Sequence, residues 1–122
     1  MEKTPNSSVS INILVAEDDK LNRDLTLLML KRLGYEADAV TNGLDVIQAL
    51  EQRAYDLILM NIVMPGMDGL ETTQEIRRTK SNPKRPWIIA ITAYILPDGR
   101  KRCLDAGMDD YIVKPVKLGE LA

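Results

Sequence analysis

Short apolar runs alternate along this chain with stretches in which apolar side chains recur every three or four residues. The runs are too short for helices and mostly rich in β-branched residues, so they read as buried strands. Residues 11–16, 57–60 and 87–92 are the clearest, 36–40 is a weaker strand, and 111–113 is the last. The segments between them read as helices. Asp19 is placed to cap the first, which runs to Leu33 with Leu21, Leu25, Leu28, Met29 and Leu33 facing inward and Gly34 at the C′ position. Asn42-Gly43 opens the second, which runs to about Arg53 with Val46, Ile47 and Leu50 inward. The third runs from Gly69 to about Thr79 on a less regular stripe of Leu70, Thr73, Ile76 and Arg77. Pro97 fits the first turn of a fourth helix that ends at Gly107. Residues 118–122 begin a fifth and supply one turn.

Strand and helix alternating five times predict an α/β fold, a three-layer α/β/α sandwich around a five-stranded parallel sheet. Right-handed crossovers leave few arrangements, and the flavodoxin-like order 2-1-3-4-5 is the expected one. Sites in such sheets lie beyond the carboxyl ends of the strands, at the switch between strands 1 and 3. Residues 1–10 read as a polar linker or tail and 11–122 as one domain. The polar start and the truncated fifth helix give the expectation of a domain taken from a longer protein.

The 122 residues suffice for one core. A net charge of −2 offers nothing to nucleic acid, and no apolar run approaches the roughly 20 residues of a membrane span. The single cysteine, Cys103, forms no internal disulfide and suits a reducing, cytoplasmic compartment. It reads as a small buried hydrophobe. The absence of histidine excludes Ser-His-Asp chemistry and histidine metal ligands.

Polar residues close the apolar runs. Glu17-Asp18-Asp19 follow the first, Asn61 the third, Thr92 ends the fourth, and Lys114-Pro115 follow the fifth. Adjacent carboxylates at one strand end repel unless a cation balances them, and an all-oxygen set suits a hard ion such as Mg²⁺. Thr92 offers a hydroxyl to a phosphoryl oxygen, and Lys114 a counter-charge. Each signal alone has a bland reading: a helix-capping acidic loop, a strand-ending threonine, a solvated lysine. Together, at the switch point, they describe a phosphoryl-accepting pocket, and a carboxylate at 61 would be its nucleophile.

Glu17-Asp18, the strand end at 61 with Met64-Pro65-Gly66-Met67-Asp68-Gly69, Ile91-Thr92-Ala93 and Lys114-Pro115 together resemble the receiver domain of two-component response regulators and hybrid histidine kinases. The resemblance runs from about Ile11 to about Val116. It implies that Asp18 ligates Mg²⁺ directly, that Glu17 helps through water, and that the Val63 carbonyl and the side chain at 61 complete the metal site. It implies that Thr92 and Lys114 bind the phosphoryl group and that Tyr111 is the aromatic switch residue. The partner would be a histidine kinase or a histidine phosphotransfer domain. The output face would be helix 4, strand 5 and helix 5, including Arg100, Lys101, Arg102, Tyr111 and Lys117, where a homodimer can form. Met64 and Met67 either face a partner or pack on their own loop, and Trp87 is expected to cover a sheet edge. The basic residues Arg77, Arg78 and Lys80 read as a solvated face.

The departure from the family is Asn61, where an aspartate is expected. An amide has no ionised oxygen to attack phosphorus, so no acyl phosphate forms there. Losing one pocket charge also weakens Mg²⁺ binding. Two explanations stand: an aspartate replaced by asparagine to lock the unphosphorylated state, or a natural pseudo-receiver that acts by binding alone. Two other classes fit poorly. A phosphatase wants a general acid two residues after its nucleophile, where Val63 stands, so the domain is not expected to be an enzyme. A flavin module would meet Glu17-Asp18-Asp19 where it needs a phosphate loop.

Overall fold

The computed structural model describes residues 11–64, 66–79, 86–92 and 98–113. In chain order these form β1 (Ile13–Ala16), α1 (Lys20–Arg32), β2 (Ala37–Val40), α2 (Gly43–Gln52), β3 (Leu57–Asn61), α3 (Gly69–Thr79), β4 (Trp87–Thr92), α4 (Gly99–Ala106) and β5 (Asp110–Val113). All strand pairs are parallel, in the order β2-β1-β3-β4-β5. This is the expected flavodoxin-like sheet. The polar tail, Pro97, Lys114-Pro115 and the expected fifth helix lie outside the described residues.

Strand side chains alternate between two cores, as the pleat requires. Leu14, Ala16, Ile58, Met60, Ile88 and Ala90 face a core shared with Val46 and Leu50 of α2, Ile76 of α3 and Cys103 of α4. Ile13, Val15, Leu59 and Ile91 face a second core with Leu30 of α1. The helix starts follow their capping residues. Asp19 accepts from the Asn22 N–H at 2.9 Å, and Asn42 accepts from the Asp45 N–H at 2.8 Å. Gly34, at φ 96°, takes the left-handed turn that ends α1.

The inward face of α1 differs from the expected one. Leu21, Leu25 and Leu28 are exposed, at 67%, 48% and 47%, whereas Thr26 and Leu30 are buried. At 100° per residue the buried stripe is turned by roughly a third of a turn from the expected one. Leucines on more than half of the helix circumference leave the period ambiguous. Thr26 can take the inward position because its hydroxyl is satisfied by the Asn22 carbonyl at 2.9 Å. Leu25→Glu should therefore leave stability within about 0.5 kcal/mol, whereas Leu30→Ala should cost about 2–5 kcal/mol. Urea midpoints of the two variants check this, and a large loss at Leu25 would contradict the helix orientation.

Trp87 covers no edge. It starts the interior strand β4 and is 62% exposed. At the amino ends of the strands the chain is held by polar links. Arg53 bonds Asp38 and Asn12, and the Tyr55 hydroxyl donates to Asp38 at 2.6 Å. Burial, with the Asp38 carboxylate beside it, pushes the Tyr55 phenol above its ordinary range.

Candidate functional site

The carboxyl ends of β1 and β3 lie side by side, because Ala16 pairs with Met60. The residues that follow Ala16 therefore meet the last residue of β3. Glu17 is buried, its N–H donating to the Val40 carbonyl at 3.1 Å, and Asp18 is exposed. Asn61 is buried, at 8% exposure. Its Nδ2 donates to Glu17 Oε2 at 3.0 Å, to Asp18 Oδ1 at 3.2 Å and to the Val63 carbonyl at 2.8 Å. Three oxygens, two from carboxylates, thus converge on one nitrogen. Acceptors on every side require the nitrogen, not the oxygen, of the amide to point there.

Asn61 pairs with Ile91 across β3 and β4, and Thr92 follows Ile91 as a fully buried residue at the end of β4. Thr92 pairs in turn with Val113 of β5. The expected pocket residues Glu17, Asp18, Asn61, Val63 and Thr92 thus stand on neighbouring strand ends. Lys114, the next residue after Val113, is outside the described set. Tyr111 is half-buried, packs against the α2–α4 core, and rests its phenol against Gly99: a Cβ there would lie 2.8 Å from the Tyr111 hydroxyl oxygen.

Further residues shape the site without a role in the sequence reading. Arg23 of α1 reaches back to the Glu17 carbonyl at 3.1 Å and the Asp18 carbonyl at 3.4 Å, steadying the acidic turn. Asp68 and Glu71 form a reciprocal capping box. Asp68 accepts from the Glu71 N–H at 2.8 Å, and Glu71 accepts from the Asp68 N–H at 3.1 Å. The Asp-x-x-Glu spacing was its available signal; Arg23 carries no such signature. The Gly69 N–H bonds the Ile62 carbonyl at 2.7 Å, closing the loop after β3. A Cβ at Gly69 would meet the Asn61 carbonyl at 2.4 Å and the Ile62 Cα at 2.9 Å, both backbone atoms. Gly69→Ala should destabilise the domain by about 3 kcal/mol, the upper end for overpacking. It should also shift the Asn61 amide signals in a ¹H–¹⁵N spectrum. Native stability with unmoved signals would refute the close approach.

Met64 is 6% exposed and packs in the core, so it neither faces a partner nor lies only on its own loop. On α4, Lys101 pairs with Asp105, and Arg100 with Asp110 at 3.1 Å, all largely exposed as on a solvated face. Cys103 is fully buried, and burial pushes its thiol up, consistent with an inert hydrophobe. Arg77 contradicts the solvated-face expectation. Its side chain is 16% exposed and bonds the Gly107 and Pro86 carbonyls and Asp109. Among the described residues no group of three or more His, Cys, Asp or Glu side chains could hold a metal, and no helix is long and apolar enough to cross a membrane. The oxygens that converge on Asn61 Nδ2 are two carboxylates and one carbonyl, which fit a hard cation supplemented by water.

Comparison with known proteins agrees with this geometry. Residues 13–122 match the response regulator receiver domain family. The chain is 37% identical over 120 residues to the sensor protein GacS of Pseudomonas syringae pv. syringae, covering 97% of this chain and 13% of that protein. It is 38% identical over 140 residues to the probable histidine kinase 1 of Oryza sativa subsp. indica, covering 90% of this chain and 14% of that protein. The chain thus spans about one seventh of these curated relatives. Among solved structures, the receiver domain of the sensor histidine kinase PA1611 from Pseudomonas aeruginosa PAO1 matches with a TM-score of 0.82 and 41% identity, over 93% of this chain and 92% of that one. That structure has a magnesium ion coordinated in its active-site cleft. The chemotaxis protein CheY4 of Vibrio cholerae shares the fold, with a TM-score of 0.83 at 23% identity over 93% of each chain.

Proposed function

The chain belongs to the response regulator receiver domain family of two-component signalling, and from that membership we propose that it is a receiver whose phosphoryl-accepting position carries an amide. The observation that carries this reading is the convergence of Glu17, Asp18 and the Val63 carbonyl on the Asn61 side chain at the strand 1–strand 3 switch. In this reading Asp18, Glu17 and the Val63 carbonyl would hold Mg²⁺. Thr92 and Lys114 bind the phosphoryl oxygens, and Tyr111 follows Thr92 in the conformational switch. The chemistry such an ion would supply is positive charge that offsets the phosphoryl oxygens. The pocket's own residues do the remaining work: the carboxylates hold charge, and the Thr92 hydroxyl orients a phosphoryl oxygen. The domain is regulatory rather than enzymatic. Its partner is a histidine kinase or phosphotransfer domain in the cytoplasm; a relative named hybrid signal transduction histidine kinase G, from Dictyostelium discoideum, supports the kind of partner.

The intact remainder of the pocket favours Asn61 as a replacement of an aspartate that holds the domain in its unphosphorylated state. A module freed from phosphorylation has little chemical reason to keep Asp18, Thr92 and Lys114 together. Asparagine at this position in the native gene would reverse that choice and favour a natural pseudo-receiver. The functional test is exposure of the chain to phosphoramidate and Mg²⁺, read by intact mass. No phosphoryl adduct is expected, and an adduct mapped to residue 61 would overturn the proposal.

A further inference from the structure

The amide at 61 does more than fail to attack phosphorus. A carboxylate at this position would bring a third negative group to Glu17 Oε2 and Asp18 Oδ1, and a cation or a proton would be needed to relieve the repulsion. The amide brings a donor instead. Its nitrogen lies 3.0, 3.2 and 2.8 Å from Glu17 Oε2, Asp18 Oδ1 and the Val63 carbonyl, so two N–H bonds are shared among three acceptors. Glu17 Oε2 also accepts from the Asp19 N–H at 3.1 Å, and Arg23 fixes the carbonyls of Glu17 and Asp18. The acidic turn, the end of β3 and the loop after it are thereby tied together by protein groups alone.

We infer that the Asn61 side-chain nitrogen is an internal stand-in for the divalent cation, so that the pocket is held closed without metal and a cation can bind only if the amide gives up these bonds. The ligand to which this applies is a hard, oxygen-seeking divalent ion. A cation cannot share the three oxygens with an N–H that points into them, because the amide's positive end would face it. The amide must turn by half a rotation about its terminal bond to present Oδ1 as a ligand, breaking all three bonds. This device extends the receiver reading, because it rests on those oxygens being the metal site. It differs from simple loss of one charge, which would weaken binding without any change in the amide.

The experiment uses the unaltered chain, Asn61→Asp and Asn61→Ala, with Mg²⁺ alone as the probe. The side-chain NH₂ pair of Asn61 is followed by ¹H–¹⁵N spectroscopy, and Mg²⁺ affinity by calorimetry. In metal-free protein the NH₂ pair should exchange with water more slowly than those of exposed asparagines. Mg²⁺ should bind the unaltered chain at least about tenfold more weakly than Asn61→Asp, and the NH₂ pair should shift only as the site fills. Asn61→Ala, which removes the donor, should melt lower than the unaltered chain and recover on adding Mg²⁺. An NH₂ pair that exchanges like a surface amide, with Asn61→Asp binding Mg²⁺, overturns the stand-in and leaves the receiver reading intact. A protected NH₂ pair with no Mg²⁺ binding to Asn61→Asp overturns the metal-site reading and keeps the hydrogen-bonded closure. Mg²⁺ binding to the unaltered chain with an unmoved NH₂ pair overturns the inference outright.

Discussion

Asn61→Asp should turn this chain into a phosphoryl acceptor. With phosphoramidate or acetyl phosphate and Mg²⁺, the variant is expected to gain one phosphoryl group by intact mass, while the unaltered chain gains none. The reason lies in one functional group. In-line phosphoryl transfer needs an electron pair on an ionised oxygen, and the amide nitrogen's pair is delocalised into its carbonyl. The substitution alters no backbone group, and the pairing of residue 61 with Ile91 at the end of β3 should persist. It does remove the donor that Glu17, Asp18 and the Val63 carbonyl now share. The variant should therefore depend on Mg²⁺ both for the reaction and for an ordered pocket. If neither chain gains mass, the pocket is silent for reasons beyond residue 61, and the pseudo-receiver alternative takes over.

Arg77→Ala should cause the largest loss of stability of any surface-accessible charge in the described structure. The guanidinium ties three segments together at the end of the sheet opposite the site. Nε donates to the Gly107 carbonyl at 2.9 Å, one terminal nitrogen to the Pro86 carbonyl at 2.8 Å, and the other to Asp109 Oδ2 at 3.0 Å. The same Asp109 oxygen accepts from the Ile88 N–H at 2.8 Å, which fixes the start of β4. With the side chains of Arg77 and Asp109 only 16% and 22% exposed, truncation takes the counter-charge from a largely buried carboxylate and the guanidinium donor from two carbonyls. Breaking such a pair costs about 3–5 kcal/mol, a large part of the roughly 5–15 kcal/mol available to a domain. Arg77→Lys keeps the charge but loses the fork and should recover less than half. The neighbour Arg78, exposed and paired with Glu75, is the control, and its truncation should cost under about 0.5 kcal/mol. Equal urea midpoints for the Arg77 and Arg78 variants would refute the staple.

Much of this molecule was legible in its sequence because local rules and tertiary packing agree. Strands 1, 3 and 4 are nearly continuous apolar runs because both of their faces are buried, a demand that leaves few polar choices. Asp19, Asn42 and Gly34 mark helix ends because capping is a contact between residues near in sequence. The shared position of the polar strand ends was legible for a different reason. Parallel order 2-1-3-4-5 puts the carboxyl ends of β1, β3 and β4 on one rim, so Glu17-Asp18 lie beside Asn61, and Thr92 stands on the neighbouring strand end.

What the sequence could not decide are the features that need a direction in space. The inward side of α1 depends on how the helix lies on β1 and β2, and leucines around most of its circumference permit more than one answer. Arg77 looks like part of a basic run until α3 is set against the β4 entry and the turn before β5, 9 to 32 residues away. The asparagine at 61 was plain from its position, and its inability to accept a phosphoryl group follows from chemistry alone. That its nitrogen points at Glu17 Oε2, Asp18 Oδ1 and the Val63 carbonyl is a matter of rotamer and surroundings. A carboxamide can turn either end outward, and only the placement of Glu17, Asp18 and the Val63 carbonyl around it selects the donor.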